Sequence, residues 1–383
     1  MANDDVLPLP DHLRWQAVAC GVVGSPFVQT FLEALADDAA ADGPTAAILA
    51  DRVDSPFGDY LGLRLAGFLH HEALQGHPRL RAHYPSCGGD ADAAAAARVA
   101  IEFLRDVESE RSDPRSAYWN TDDPASLARY LGRPPQTNEA GRASALLAGD
   151  AWIHATMRRP LRILEIGSSA GLLLHLDRYA MRLVGTGGIG GIGQLGAPDA
   201  PSWDVAWSGP LPPPQWALPE IVSAEGCDRA PLDISLPGNV AILRSYVWPD
   251  QPARLARLDT ALAVAAAWSD RPVSTAPAET WLPAQLARPT SGLATVIQHS
   301  IVWEYIDSAA QEQLAAEITA AGSRATPETP LAWLRMEFFP KLADNDLTRP
   351  SIRVTTWPGG EDRLLGWTTP HGADVEWLET WPS

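Results

Sequence analysis

The residues best suited to chemistry stand close together in LRILEIGSSAGLLLHLDRY, Leu161 to Tyr179, where an apolar run carries one acid, Glu165, into Gly167-Ser168-Ser169-Ala170-Gly171. Two chemistries fit these letters. As Glu-x-Gly-x-x-x-Gly, the glycines let a nucleotide-type ligand approach the backbone of a strand-to-helix turn. As Gly-x-Ser-x-Gly, the turn lifts Ser169 as a nucleophile, with His371 as base and Asp344 or Asp346 as the acid between them in sequence order. Glu165 separates the two readings, because a carboxylate inside an apolar strand needs a partner: a cationic ligand, or a fixed residue such as Arg142 or Arg162. No HGGG-like oxyanion segment precedes the turn, so the cofactor reading leads and the hydrolase stands as its alternative. Elsewhere His299 ends an apolar run, where a general base at the edge of a sheet is wanted. His70, His71 and His83 lack His-Glu-x-x-His spacing and Cys20, Cys87 and Cys227 are far apart, so no metal site is expected.

These residues need elements to position them. Residues 11 to 157 read as helical, with Leu61, Leu65, Phe68 and Leu69 on one stripe and an alanine run from Ala91 to Ala97 opening another helix. The last helix, Glu139 to about Met157, leads into the strand that carries Glu165. Residues 184 to 219 are dense in Gly and Pro and read as a hairpin or flexible insertion; Gly185, Gly187 and Gly190 match G-x-G-x-x-G but follow a helix, which removes the context of a dinucleotide site. Alternation then resumes: a strand ending near Asp228, a helix from about Pro252, strands at 272 to 276 and 293 to 300, and a helix through Ile306, Ala310, Leu314 and Ile318 closed at Gly322 by a left-handed cap. LAWLRMEFF, SIRVTTW and RLLGWTTP finish the chain as strands, the last two paired across Pro358-Gly359-Gly360. The expected architecture is a helical domain over 1–157 and, over 158–383, an α/β three-layer sandwich whose mostly parallel sheet ends in an antiparallel edge hairpin.

Composition excludes some functions. With 383 residues, 46% apolar, 20% charged and no run of 18 apolar residues, a folded chain with no membrane span is expected. The formal charge of -18 repels a phosphate backbone, so nucleic acid is not an expected partner. The opening MANDDVLPLPDHLRW has acids where a signal peptide has bases, and a cytoplasmic setting is expected.

The order of elements around Glu165-x-Gly167-x-x-x-Gly171 resembles the class I S-adenosylmethionine-dependent methyltransferases. That resemblance implies a Rossmann-like domain of methyltransferase type in which Glu165, Gly167, Ser168 and Gly171 frame the amino-acid end of S-adenosylmethionine, with Gln136 and Asn138 beside its methionine moiety. It further implies that Asp228 holds the ribose, that Glu279 stands near the adenine, and that His299 or Tyr305 relieves a small-molecule or protein acceptor of its proton. Asn138 also suits the cap of the helix that follows it. A wider resemblance, carried by HLRWQA, GSPF, HYPS, QTNEAGR, EIGSSAGL, SYVWPDQ and HSIVWEY, is to the uncharacterised bacterial family of the domain of unknown function 2332, for which no activity is implied. A non-catalytic, ligand-binding member of the fold is therefore a third reading beside transferase and hydrolase.

Overall fold

A computed structural model describes residues 6–185, 192–268, 270–288, 290–338 and 349–382. The chain divides into two compact units, Met1–Thr137 with Asp233–Ala256, and Asn138–Leu232 with Arg257–Ser383. The helical unit therefore ends about twenty residues before the expected boundary at 157 and takes in a later segment.

The first unit contains α1 (Leu9–Val22), α2 (Pro26–Ala40), α3 (Pro44–Ile48), α4 (Leu61–Leu74), α5 (Pro78–Arg81), α6 (Ala93–Ser109) and α7 (Leu127–Leu131). Capping side chains fix several starts: Ser25 accepts from the Val28 amide on α2, and Asp92 from Ala95 on α6 at 2.8 Å. The stripe on α4 is core as expected, with Leu61, Leu65, Phe68 and Leu69 each at most 1% exposed. Phe68 meets Tyr130 edge-on at 5.8 Å.

In the second unit, α8 (Ala143–Met157) precedes the strands, and its residues are buried nearly all round. That is why it belongs with the sheet: Gly149 lets it approach so closely that a Cβ there would lie 2.5 Å from Leu334 Cδ1. The strands are β1 (Leu161–Ile166), β2 (Ala180–Gly185), β3 (Ile192–Gly196), β4 (Ser202–Ser208), β5 (Ile221–Asp228), β6 (Val273–Thr275), β7 (Ala294–Ser300), β8 (Leu331–Glu337), β9 (Ser351–Trp357), β10 (Glu361–Thr368) and β11 (Asp374–Trp377). They form one mixed, mostly parallel sheet in the order β3-β2-β4-β11-β10-β9-β8-β7-β1-β5-β6. A short helix α9 (Pro237–Ser245), unread in the sequence, lies in the first unit; α10 (Pro252–Ala267) follows, and α11 (Ala278–Leu286) and α12 (Ser308–Gly322) complete the chain's helices among the described residues. On one face of the sheet, Leu164, Ile166, Cys227 and Ile297 share a core with Trp281 and Leu282 of α11 and Leu314 and Ile318 of α12. With α8 packed on the strands as well, the unit is α/β with helices against its sheet.

Four local expectations change. The β9–β10 hairpin is internal to the sheet, because β11 pairs with β10 and carries β4, β2 and β3 beyond it. The Gly- and Pro-rich stretch forms the expected hairpin, β3 pairing antiparallel with β2, but it also adds a further strand, β4, with Gly187 and Gly190 outside the described residues. After Gly171 the chain makes a 3-10 turn over Leu172–Arg178, interrupted at His175, in place of an α-helix. Finally, Gly322 is the last helical residue and not a left-handed cap: the Trp357 ring lies 2.4 Å from where its Cβ would stand, so close packing explains the glycine.

Candidate functional site

Strand β1 lies between β5 and β7, so the parallel strands β1, β5, β6, β7 and β8 stand in the order third, second, first, fourth, fifth. This is the order of a doubly wound sheet, in which ligands gather outside the carboxyl ends of the strands where the winding reverses, here between β1 and β7. Glu165 and Gln298 are paired residues near those two ends. The turn after β1 uses left-handed backbone at Gly167, Ser169 and Gly171, with φ of 72°, 50° and 76°.

Four amides of that turn are committed within the protein. Gly167 and Ser168 donate to the Cys227 carbonyl at 2.9 and 3.0 Å, Gly171 to Ser168 at 2.7 Å, and Ser169 to Asp228 Oδ2 at 2.9 Å. Leu172 donates to Asn138 Oδ1 at 2.9 Å, so Asn138 ties the segment before α8 to the turn. The glycines serve packing: a Cβ on Gly167 would stand 2.3 Å from Val302 Cγ2, and one on Gly171 2.9 Å from Val273 Cγ2. The Ser168 hydroxyl donates to the Glu165 carbonyl at 3.1 Å and is fully buried.

Alternation places Glu165, Gln298 and Leu334 on the face that α8 covers. Gln298 Nε2 donates to Glu165 Oε2 at 3.1 Å, leaving Gln298 Oε1 buried and without a partner among the described residues. Burial pushes the Glu165 carboxyl up to about 7; the Gln298 bond and the positive charge of Arg142 pull it back, and Asp228 raises it further. Of the fixed partners expected for Glu165, Arg162 pairs with Glu225 at 3.2 Å, and Arg142 donates to the carbonyls of Pro370 and Ser300 at 3.1 and 2.8 Å.

Asp150, on α8, was not singled out by its sequence. It is fully buried, neither oxygen has a hydrogen-bond partner among the described residues, and burial, with Glu165 and then Asp177, holds its carboxyl well above the usual range. The region around Glu165 thus has more acceptors than donors. Asp228, at the end of β5, accepts from Ser169 and, through Oδ1, from Ala230 at 2.8 Å. A carboxylate has about four lone-pair sites, so two remain for further donors.

His299 belongs to the other face. Its Nδ1 donates to Glu337 Oε1 at 2.7 Å, and its Nε2 accepts from the Trp333 indole at 3.0 Å, which fixes one neutral tautomer. Trp303 stacks on the ring at 4.8 Å. Glu337 also accepts from the Val302 amide at 3.1 Å, while Ile301, a branched residue at φ 48°, turns the chain so that Val302 lies over Gly167. Tyr305 sits in the following 3-10 turn and is partly exposed. Glu279, in the first turn of α11, pairs with Arg229 at 3.2 Å. Gln136 is a buried residue of the first unit. The structure therefore gathers Asn138, Glu165, Gly167, Ser168, Gly171 and Asp228 around one turn and sets the His299 ring behind the sheet from Glu165. For the serine reading, Asp344 and Asp346 lie outside the described residues.

The fold and this edge define an α/β protein with a doubly wound parallel core and buried, partly unpartnered acceptors at the carboxyl edge of its strands. The chain belongs to a family described as uncharacterized protein conserved in bacteria, the domain of unknown function 2332, whose model matches residues 10–377. No curated protein matches the chain. Among the described residues no helix is long and apolar enough to cross a membrane, and no cluster of three or more His, Cys, Asp or Glu is placed to hold a metal ion.

Proposed function

We propose that the carboxyl edge of β1, β5 and β7 binds S-adenosylmethionine and that the protein transfers its methyl group to a small-molecule or protein acceptor. The observation that carries this reading is the surplus of buried acceptors: both Asp150 oxygens and Gln298 Oε1 lack donors beside a Glu165 carboxyl raised to about 7. An ammonium group brings both the missing N–H donors and the positive charge. Glu165, with Asp150 behind it, would hold the amino-acid end, Asp228 the ribose hydroxyls, and Glu279 the neighbourhood of the base. The committed amides and the valines against Gly167 and Gly171 leave the turn itself as a wall that shapes the site. When bound, the cofactor supplies an electrophilic methyl group; the protein's own part is to orient two reactants and exclude water. Relief of the acceptor's proton falls to Tyr305, because the His299 ring lies behind the sheet with both nitrogens engaged.

The test is thermal unfolding and calorimetric titration with S-adenosylhomocysteine, at pH 6, 7 and 8. A ligand at a hundredfold over its Kd adds about 2.7 kcal/mol. Because the ammonium needs Glu165 ionised, Kd is expected to weaken about tenfold per pH unit below 7. Absence of any shift at millimolar ligand would overturn the proposal. The hydrolase alternative draws on one observation, the left-handed Ser169 at the centre of G-x-S-x-G, and predicts covalent labelling at that residue.

A further inference from the structure

Within the first unit, His70 of α4 is buried and both its ring nitrogens are engaged: Nδ1 lies 2.9 Å from the Ser245 carbonyl oxygen and Nε2 lies 2.7 Å from Ser86 Oγ. A carbonyl can only accept, so Nδ1 carries the proton and Nε2 offers its lone pair. The Ser86 hydroxyl must then donate. Burial reinforces this state by lowering the imidazole to about 4, which keeps it neutral at physiological pH. Tyr84 stacks on the ring with centroids 5.5 Å apart and planes 16° apart, so the imidazole is held in orientation as well as in tautomer. Ser86 itself is half-buried, on the 3-10 turn Pro85–Cys87 that ends in left-handed Gly88. Nucleophile, base and a third group that orients the base are the elements of an activated serine.

The geometry points to Ser86 as a nucleophile, with His70 as its base and the Ser245 carbonyl as orienter, acting on activated carboxylic esters. Ser86 Oγ attacks the ester carbon as its proton passes to His70 Nε2. The C–O bond to the leaving group breaks, and that group departs with the proton from His70. Water then cleaves the Ser86 acyl ester by the same route, releasing the acid and restoring the pair without any oxidant or reductant. A buried imidazole is a weak base, so aryl esters, whose leaving groups depart readily, are the favoured class. This site is independent of the methyl-transfer reading, because every residue in it belongs to the first unit.

The test treats the intact protein with a fluorophosphonate probe and maps the adduct by tryptic mass spectrometry. The peptide of residues 82–98 contains Ser86 as its one serine, whereas Ser169 lies in the separate peptide 163–178. Adduct on 82–98, absent from Ser86→Ala and reduced about a hundredfold in His70→Gln, is expected. Release of p-nitrophenolate from p-nitrophenyl acetate should show a burst of one equivalent that Ser86→Ala lacks. An unlabelled 82–98 peptide in folded wild-type protein, or labelling confined to Ser169, overturns the proposal without reliance on either variant.

Discussion

One cluster of buried polar groups stands out in each unit, and the two clusters are built in opposite ways. In the first, donors and acceptors close on one another: Ser25 Oγ donates to Asp250 at 2.6 Å, the Phe27 amide reaches the same carboxylate at 3.1 Å, and Tyr130 shares a 2.7 Å bond with Ser245 Oγ. In the second, the face of the sheet under α8 holds carboxyl groups in excess of donors, with Asp150 wholly unpartnered among the described residues and Glu165 bonded by Gln298. A buried network that completes itself stabilises a fold, whereas one left short of donors costs stability that a ligand can return. By that measure the carboxyl edge of β1 and β7 is where a ligand would return stability, and the Asp250 cluster of the helical unit is where donors and acceptors are already matched.

Three changes test the contrast, from the largest effect down. Asp250→Ala orphans the Ser25 hydroxyl and the Phe27 amide together and is expected to cost about 4 kcal/mol in urea unfolding; a loss below about 1 kcal/mol would mean that the first unit's network is not self-completing. Glu165→Gln should have the opposite sign. The folded carboxyl sits near 7 against an ordinary 4.5, so the native state is penalised as pH rises from about 4.5 to 7. The amide removes that penalty: no gain at pH 4, rising to about 3 kcal/mol at pH 8, with loss of S-adenosylhomocysteine binding. A destabilised variant at pH 8 would show that the acid has a cation of its own. Trp333→Phe, behind the sheet, removes the donor to His299 Nε2 and should cost only about 1 kcal/mol in urea unfolding.

Much of the frame was legible because it is written in repeats of apolar residues. Leu61, Leu65, Phe68 and Leu69 announced α4, and the mostly apolar letters of β1 and of the start of β7 announced buried strands. Glu165 was legible for the converse reason, an acid where only apolar residues are cheap. Asp150 had the same signal in ALLAGDAWIHA, but a single acid in a helix reads as its solvent face until both sides of the helix are seen to be covered. The strands β2, β3 and β4 escaped because glycine and proline dominate their surroundings, and β11, four residues long, is below the length at which alternation is visible. That His299 turns away from Glu165 follows from the two-residue period of a strand, yet only once the register with β1 is known.

The pairing of β11 with β4 has a consequence for how the molecule is made. Asp374 aligns with Ala206, so the strands β2, β3 and β4 reach the rest of the sheet only through a strand synthesised much later. Until it emerges from the ribosome, β4 presents an open edge of amides and carbonyls able to recruit another nascent chain. Docking at such separation is slow, because the loop must close before any contact rewards it. Loss of residues beyond about 373 is thus expected to detach β2, β3 and β4 from the rest of the sheet, far from any residue that does chemistry.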